Sequence, residues 1–243
     1  MPYLYGIDLT YIYMVLPFVI LSMIVSQRVK STFQKYETQL NSRHLTGAEA
    51  AQRVLMAHGV RDVRVQRVAG ELTDHFDPKA KIIRLSEKVY DSTSTAAIGV
   101  ACHEAGHAVQ YNQGYFPMQL RSAVIPVTNI GSKLAVPLIL IGLLLPLFSE
   151  LPFVAEDVSY FLIYLGIGCF SFSLILQLIT LPVEFNASRR AMDTIREKEL
   201  LTREEEQGAK KVLQAAAMTY VAATALALVQ ILRLLTLFGR KKR

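Results

Sequence analysis

Cysteine and tryptophan are scarce in this 243-residue sequence, which has two cysteines and no tryptophan. The two cysteines, Cys102 and Cys169, resemble neither a disulfide framework nor a thiolate metal cluster, and their scarcity favours a reducing compartment. Lys and Arg are absent from residues 1–8, and no small-residue cleavage site follows the first apolar run. We therefore expect that run to be a membrane anchor rather than a signal peptide.

Basic residues outnumber acidic residues by 26 to 20, but no basic stripe with interleaved aromatic residues is present. The positive residues instead flank apolar runs, so membrane topology explains them better than a nucleic-acid partner does. Hydrophobic residues make up 52% of the chain. This fraction predicts a membrane protein in contact with the lipid bilayer, with room for one modest soluble domain.

The apolar runs predict three or four transmembrane helices, at residues 9–25, 134–148, 158–183 and 212–238. Basic residues follow the first run closely, which places the N-terminus outside the cell and residues 27–133 inside. The acidic segment between the second and third runs, which includes Glu150, contains no base and belongs outside. The third run therefore returns the chain to the inside at Glu184.

The fourth run is interrupted by Gln214, Gln230 and Arg233, and a basic tail at residues 240–243 follows it. We favour a fourth crossing, although it leaves the basic tail outside. The alternative is an in-plane or re-entrant helix with the C-terminus inside.

Between the first two runs, the sequence predicts a small α+β domain. Thr46 and Glu49 have the spacing of a capping box at the start of a helix. Residues 63–68 and 81–86 have the pattern of two short strands separated by a turn, which predicts a small antiparallel sheet. A stretch free of proline at residues 94–112 predicts a second helix.

That second helix carries the sequence His103-Glu104-Ala105-Gly106-His107. Residues four apart share one face of a helix, so the imidazoles of His103 and His107 can bind one tetrahedral zinc ion. Glu104 projects beside them, where it can take a proton from zinc-bound water as that water attacks a peptide carbonyl. The motif therefore predicts amide hydrolysis with Zn²⁺ as the cofactor.

A catalytic zinc site also needs a third protein ligand. The extended pattern HExxHxxGxxH does not supply it, because Gln110 and Gln113 stand at the positions of its Gly and last His. The acids at residues 149–157 are predicted to lie across the membrane, and those at residues 204–206 resemble a solvated helix face. Glu184 is the best remaining candidate, because a carboxylate at a membrane exit usually has a function.

The motif and three further segments resemble the YugP-type neutral zinc metallopeptidases of bacterial membranes. These segments are LTDHFDP at 72–78, IRLS at 83–86 and EFNASRRA at 184–191, and the resemblance covers nearly the whole chain. The family is similar to the HtpX-type peptidases, in which a Glu of an E-x-x-x-D helix completes the zinc site. The resemblance implies this role for Glu184 and a zincin-like, gluzincin-type fold for the soluble domain.

One departure from the HtpX-type pattern is Ser188, which stands at the position of the Asp. No carboxylate is supplied there to support a zinc-bound histidine, and Asp193, Asp77 or Asn186 are the candidates to replace it. The resemblance to gluzincins also suggests that residues 82–85 pair with an extended substrate, with a plain core strand as the alternative.

Two further residues are candidate catalytic groups. His75 can donate a hydrogen bond to a developing oxyanion, or it can simply fix a loop. Tyr220 can donate in the same way from an apolar helix, or it can pack at the membrane interface. Arg189 and Arg190 can orient the substrate or support the site, or they can merely follow the positive-inside rule.

Together these observations predict a mainly α membrane protein that acts as a zinc-dependent endopeptidase on membrane or membrane-proximal proteins or peptides. We expect an integral protein of the bacterial plasma membrane with its active site on the cytoplasmic face. An intramembrane-cleaving protease and a non-catalytic zinc-binding scaffold or assembly factor are the alternatives. The predicted segments are an anchor (1–26), a metallopeptidase domain (27–132), a transmembrane hairpin (133–183), a helical segment with the third ligand (184–214) and a last apolar helix with its tail (215–243).

Overall fold

The computed structural model describes residues 3–4, 7–71, 73–148 and 152–239. Leu72, Glu150 and the basic tail at residues 240–243, which entered the sequence predictions, lie outside the described residues. The strands are β1 Tyr3–Leu4, β2 Ile7–Asp8, β3 Arg64–Val68, β4 His75–Asp77 and β5 Ile82–Ser86. The helices are α1 Leu16–Glu37, α2 Gly47–Ala57, α3 Glu87–Tyr90, α4 Thr95–Asn112, α5 Phe116–Phe148, α6 Pro152–Glu197 and α7 Arg203–Phe238. A π-helical turn at Tyr11–Val15 precedes α1.

The described residues contain four helical segments that are long and apolar enough to cross a membrane. They are Tyr11–Glu37, Phe116–Phe148, Glu156–Glu197 and Arg203–Phe238. The protein is therefore a mainly α membrane protein with a small α+β part, as the sequence predicted. Helix α5 begins well before the predicted second apolar run and contains three prolines, which spanning helices tolerate better than soluble ones do.

The chain divides into two compact units. The first comprises Met1–Met23, Leu120–Thr180 and Tyr220–Arg243. Within it, α5 and α6 pack closely, because a Cβ atom at Gly166 would lie only 2.9 Å from the carbonyl oxygen of Ala135. Such close approach through small residues is typical of helices that associate in membranes.

The second unit comprises Ile24–Gln119 and Leu181–Thr219 and contains a three-stranded sheet in the order β3-β5-β4. The predicted antiparallel pairing of residues 63–68 with 81–86 is wrong, because β3 and β5 run parallel. The chain between them crosses over and forms the antiparallel edge strand β4 inside the predicted turn. Since β5 is paired on both sides, residues 82–85 cannot add a substrate strand and form a core strand instead.

The core of the second unit surrounds α4. Thr46 and Glu49 form the predicted capping box at the start of α2, and Ser94 caps α4 by accepting a hydrogen bond from the backbone N–H of Ala97 at 3.2 Å. One hydrophobic cluster gathers buried residues of α2, β5, α4, α6 and α7. Helix α4, which carries the HEAGH sequence, is therefore held in the middle of this unit rather than at its surface.

Candidate metal centre

Three side chains converge where α4 meets α6. The Nε2 atoms of His103 and His107 lie 3.2 and 3.4 Å from one oxygen, Oε2, of Glu184. In tetrahedral zinc sites with bonds of about 2.0–2.1 Å, neighbouring ligand atoms are about 3.3 Å apart. The spacing of these donors therefore fits zinc, and among the described residues they form a group that could hold a metal ion. The structure brings together the three predicted ligands, and their ligand role stays a prediction.

Gly106, inside the motif, allows α6 to come close enough for Glu184 to reach the histidines. A Cβ atom at this position would lie 2.8 Å from the carbonyl oxygen of Ala187, which is closer than real Cβ contacts allow. Ala187 itself is fully buried and lies three residues after Glu184. A larger residue at position 106 would therefore separate the two helices at the level of the site.

The other ring nitrogen of each histidine faces a neutral oxygen. Nδ1 of His103 lies 3.1 Å from Oγ of Ser188, and Nδ1 of His107 lies 3.0 Å from Oε1 of Gln110. When each Nδ1 carries a proton and donates it, the lone pair of each Nε2 is left for the metal. Ser188 thus supplies a hydroxyl to His103 at the place where the HtpX-type pattern has a carboxylate.

Of the two acids considered as replacements for that carboxylate, one is bound to another residue and the other is exposed. The carboxylate of Asp77 accepts a hydrogen bond from Arg84 at 2.8 Å, and Asp193 is exposed. The prediction of a carboxylate supporting the histidines through these two residues is therefore not met. Asn186 does contribute, but through Gln110, a role that the sequence reasoning missed. The three-residue spacing of Gln110 from His107, on one face of α4, was the available signal.

Burial and negative charge act against each other at His107. Burial lowers the pKa of His107, but its hydrogen bond with Glu184, the negative charges of Glu104 and Glu184, and Gln110 together raise that pKa above its ordinary value. In the metal-free protein, a proton on His107 therefore competes with the metal for the site.

Glu104 is half-buried on α4, and a second acid lies near it. Asp74 accepts hydrogen bonds from the backbone N–H of Ser86 at 2.7 Å and from its hydroxyl at 3.1 Å. Burial raises the pKa of Asp74, the Ser86 hydrogen bonds oppose that rise, and the charge of Glu104 adds to it. Cys102, next to the motif, is fully buried, and burial raises the pKa of its thiol, so it is an inert packing residue.

The two further catalytic candidates lie outside this ligand group. His75 is on the exposed edge strand β4, where Nδ1 lies 2.7 Å from the carbonyl oxygen of Thr73 and Nε2 lies 3.3 Å from Nη1 of Arg84. These contacts are typical of a histidine that fixes a loop. Tyr220 is half-buried on α7. The catalytic roles of both residues stay predictions.

Comparisons with known proteins identify the family to which the chain belongs. Residues 11–239 match the family described as "Putative neutral zinc metallopeptidase". The chain is also 46% identical over 211 residues to the "Putative membrane protease YugP" of Bacillus subtilis (strain 168), covering 87% of this chain and 88% of that protein. No solved structure matches the chain. The chain therefore belongs to this neutral zinc metallopeptidase family.

Proposed function

We propose that this protein is a zinc-dependent, membrane-bound endopeptidase that cleaves membrane or membrane-proximal proteins. The observation that carries this proposal is the convergence of two imidazole nitrogens and a buried carboxylate oxygen at zinc-ligand spacing, with Glu104 beside His103. The donor set of two histidines and one glutamate leaves one tetrahedral position open, as catalytic zinc sites do.

The protein's own side chains would hold the metal, orient its ligands and move the proton. His103, His107 and Glu184 would hold the zinc ion, which would supply a Lewis acid for the substrate carbonyl and would lower the pKa of a bound water molecule to about 7. Glu104 takes the proton of the attacking water and passes it to the leaving amine, as a general base and then a general acid. Ser188 and Gln110 keep the two imidazoles in the orientation that faces the ion.

Strand β4 is the element best placed to hold an extended substrate. It is one of the two edge strands of its sheet, β3 being the other, and its Phe76 packs edge-to-face against Tyr111 of α4, the helix that carries the motif, with ring centroids 5.9 Å apart. An edge strand presents backbone groups that can pair with an added peptide. We assign substrate pairing to β4 rather than to β5, which the sequence suggested, because β5 is paired on both sides.

An intramembrane-cleaving protease is not supported by the structure. That alternative needs the HEAGH sequence in a spanning helix, and α4 is not among the four described segments that are long and apolar enough to cross. The helix belongs instead to the α+β unit.

Removal of the metal is expected to stop peptide cleavage, because neither histidine can polarise a carbonyl in the way that a bound cation does. We expect full-length protein in detergent to lose cleavage of an unfolded protein substrate when zinc is chelated, and to recover it when zinc is returned. Gel analysis of the fragments measures this. Cleavage that continues undiminished in the chelated protein would contradict the proposal.

The active site is proposed to face the cytoplasm, and labelling of introduced cysteines tests this. Asp157→Cys should react with a membrane-impermeant maleimide in intact cells, whereas Lys79→Cys should react only after lysis. Both positions are exposed, so labelling of both in detergent is the control for reactivity. Labelling of Lys79→Cys in intact cells would place the catalytic unit on the outer side.

A further inference from the structure

We propose that Gln110 is the positioning residue of His107, and that Asn186 and Arg190 hold Gln110 in the one orientation that serves the metal. This inference rests on the proposed zinc site. It concerns a chain of hydrogen bonds within the second unit that links α4 to α6 on the Nδ1 side of His107, away from the atom that faces the metal.

The orientation of the Gln110 amide follows from its partners. Gln110 is fully buried, and its Nε2 donates to the carbonyl oxygen of Val183 at 2.8 Å and to Oδ1 of Asn186 at 3.0 Å. A backbone carbonyl can only accept, so this end of the amide must be the NH₂ group. Its oxygen, 3.0 Å from Nδ1 of His107, therefore requires a proton on Nδ1, which leaves the lone pair of Nε2 available for the metal.

Asn186 is fixed in the same way. Its Oδ1 also accepts from Nε of Arg190 at 2.7 Å. Because both neighbours are donors, a flipped Asn186 would turn its NH₂ group toward two other N–H groups. Arg190 is held in turn, since its Nη1 donates to Oε1 of Gln113 at 2.6 Å and its guanidinium lies 6.0 Å from the Tyr115 ring centroid.

The buried Gln110 amide therefore fixes the positions of two predicted ligands, His107 and Glu184. Gln110 contacts His107 directly, and its other partners, Val183 and Asn186, lie one position before and two positions after Glu184. The amide that accepts the hydrogen bond of His107 also carries no charge. A carboxylate in this place would raise the basicity of His107, whereas an amide leaves more positive charge on the ion to polarise a substrate carbonyl.

Zinc affinity and the electronic spectrum of the site test this role independently of peptide cleavage. The full-length protein in detergent is titrated with zinc against a chelator of known affinity, and its cobalt(II) form is recorded by visible absorption. Gln110→Leu and Asn186→Ala should each weaken zinc binding about 10- to 100-fold, the usual cost of losing a residue that supports a metal ligand, and should alter the cobalt bands. Gln66→Leu, a change of an exposed glutamine on β3, is the matched control and should bind as wild type.

Asn186→Asp separates positioning from mere packing. It keeps an acceptor oxygen for both Gln110 and Arg190, so it should retain zinc affinity within about threefold of wild type. Wild-type affinity in Gln110→Leu and Asn186→Ala would overturn the proposal, and so would an Asn186→Asp protein as weak as Asn186→Ala. If Gln110→Leu does not fold, the comparison of Asn186→Ala with Asn186→Asp still tests the proposal, because Asn186 is only half-buried. A wild-type protein that binds zinc without cleaving peptides would end the proposed function but leave this order of affinities unchanged.

Discussion

Replacing Glu104 by glutamine is expected to reduce peptide cleavage by about 10²- to 10⁴-fold, the range that general acid–base groups contribute. Glutamine has the size of glutamate but cannot take a proton from water at neutral pH. Glu104 is also not one of the three side chains that converge at ligand spacing. The loss should therefore appear in kcat/KM while the variant still binds zinc, and zinc titration of the same protein measures the second part.

A matched control for this change is Glu87→Gln. Glu87 lies on α3, where it pairs with Arg67 at the surface, so the same chemical change there should leave cleavage at the wild-type rate. The control separates loss of the Glu104 carboxylate from a general effect of removing one negative charge.

Replacing Glu184 by alanine is expected to remove the metal. Loss of a residue that only supports a ligand typically costs 10- to 100-fold in affinity, so loss of the ligand itself should weaken zinc binding by more than about 100-fold. Glu184 is almost completely buried, at 2% exposed, and alanine leaves no group that can replace its carboxylate oxygen. Zinc content of the purified protein and a chelator titration measure this effect.

Asp193→Ala is the control on the same helix. Asp193 is exposed, so its variant should keep a full equivalent of zinc and the wild-type affinity. If Glu184→Ala also keeps that affinity, and its metal-free form melts as the wild type does, the third ligand lies elsewhere and the assignment of Glu184 fails.

The sequence could identify the three side chains that converge in the structure, because their placement follows from helix spacing and from the order of the apolar runs. The four-residue spacing of His103 and His107 fixes them on one face of α4, and the order of apolar runs returns Glu184 to the same side. The structure adds the reason why the two helices can meet there. Gly106 leaves room for the backbone of Ala187, a contact between residues far apart in sequence that no local pattern reveals.

The sheet and the supporting residues could not be found in this way. Alternation in residues 63–68 and 81–86 indicates strands but not their direction, because pairing depends on the path of the connecting chain. That chain crosses over and adds β4 at the edge. Gln110 looked like a mismatch to a longer zinc pattern, and its function as the partner of His107 depends on Val183 and Asn186 of another helix.

A zinc-binding scaffold would need the three ligands but would have no use for the carboxylate of Glu104. The most direct test of the central claim is therefore the ratio of the cleavage rates of wild-type and Glu104→Gln protein, each measured at one bound zinc ion per chain. We predict that both proteins carry the same zinc and that the glutamine variant retains about 1% of the activity or less. Equal cleavage at equal zinc content would contradict the assignment of this protein as a metallopeptidase that uses Glu104.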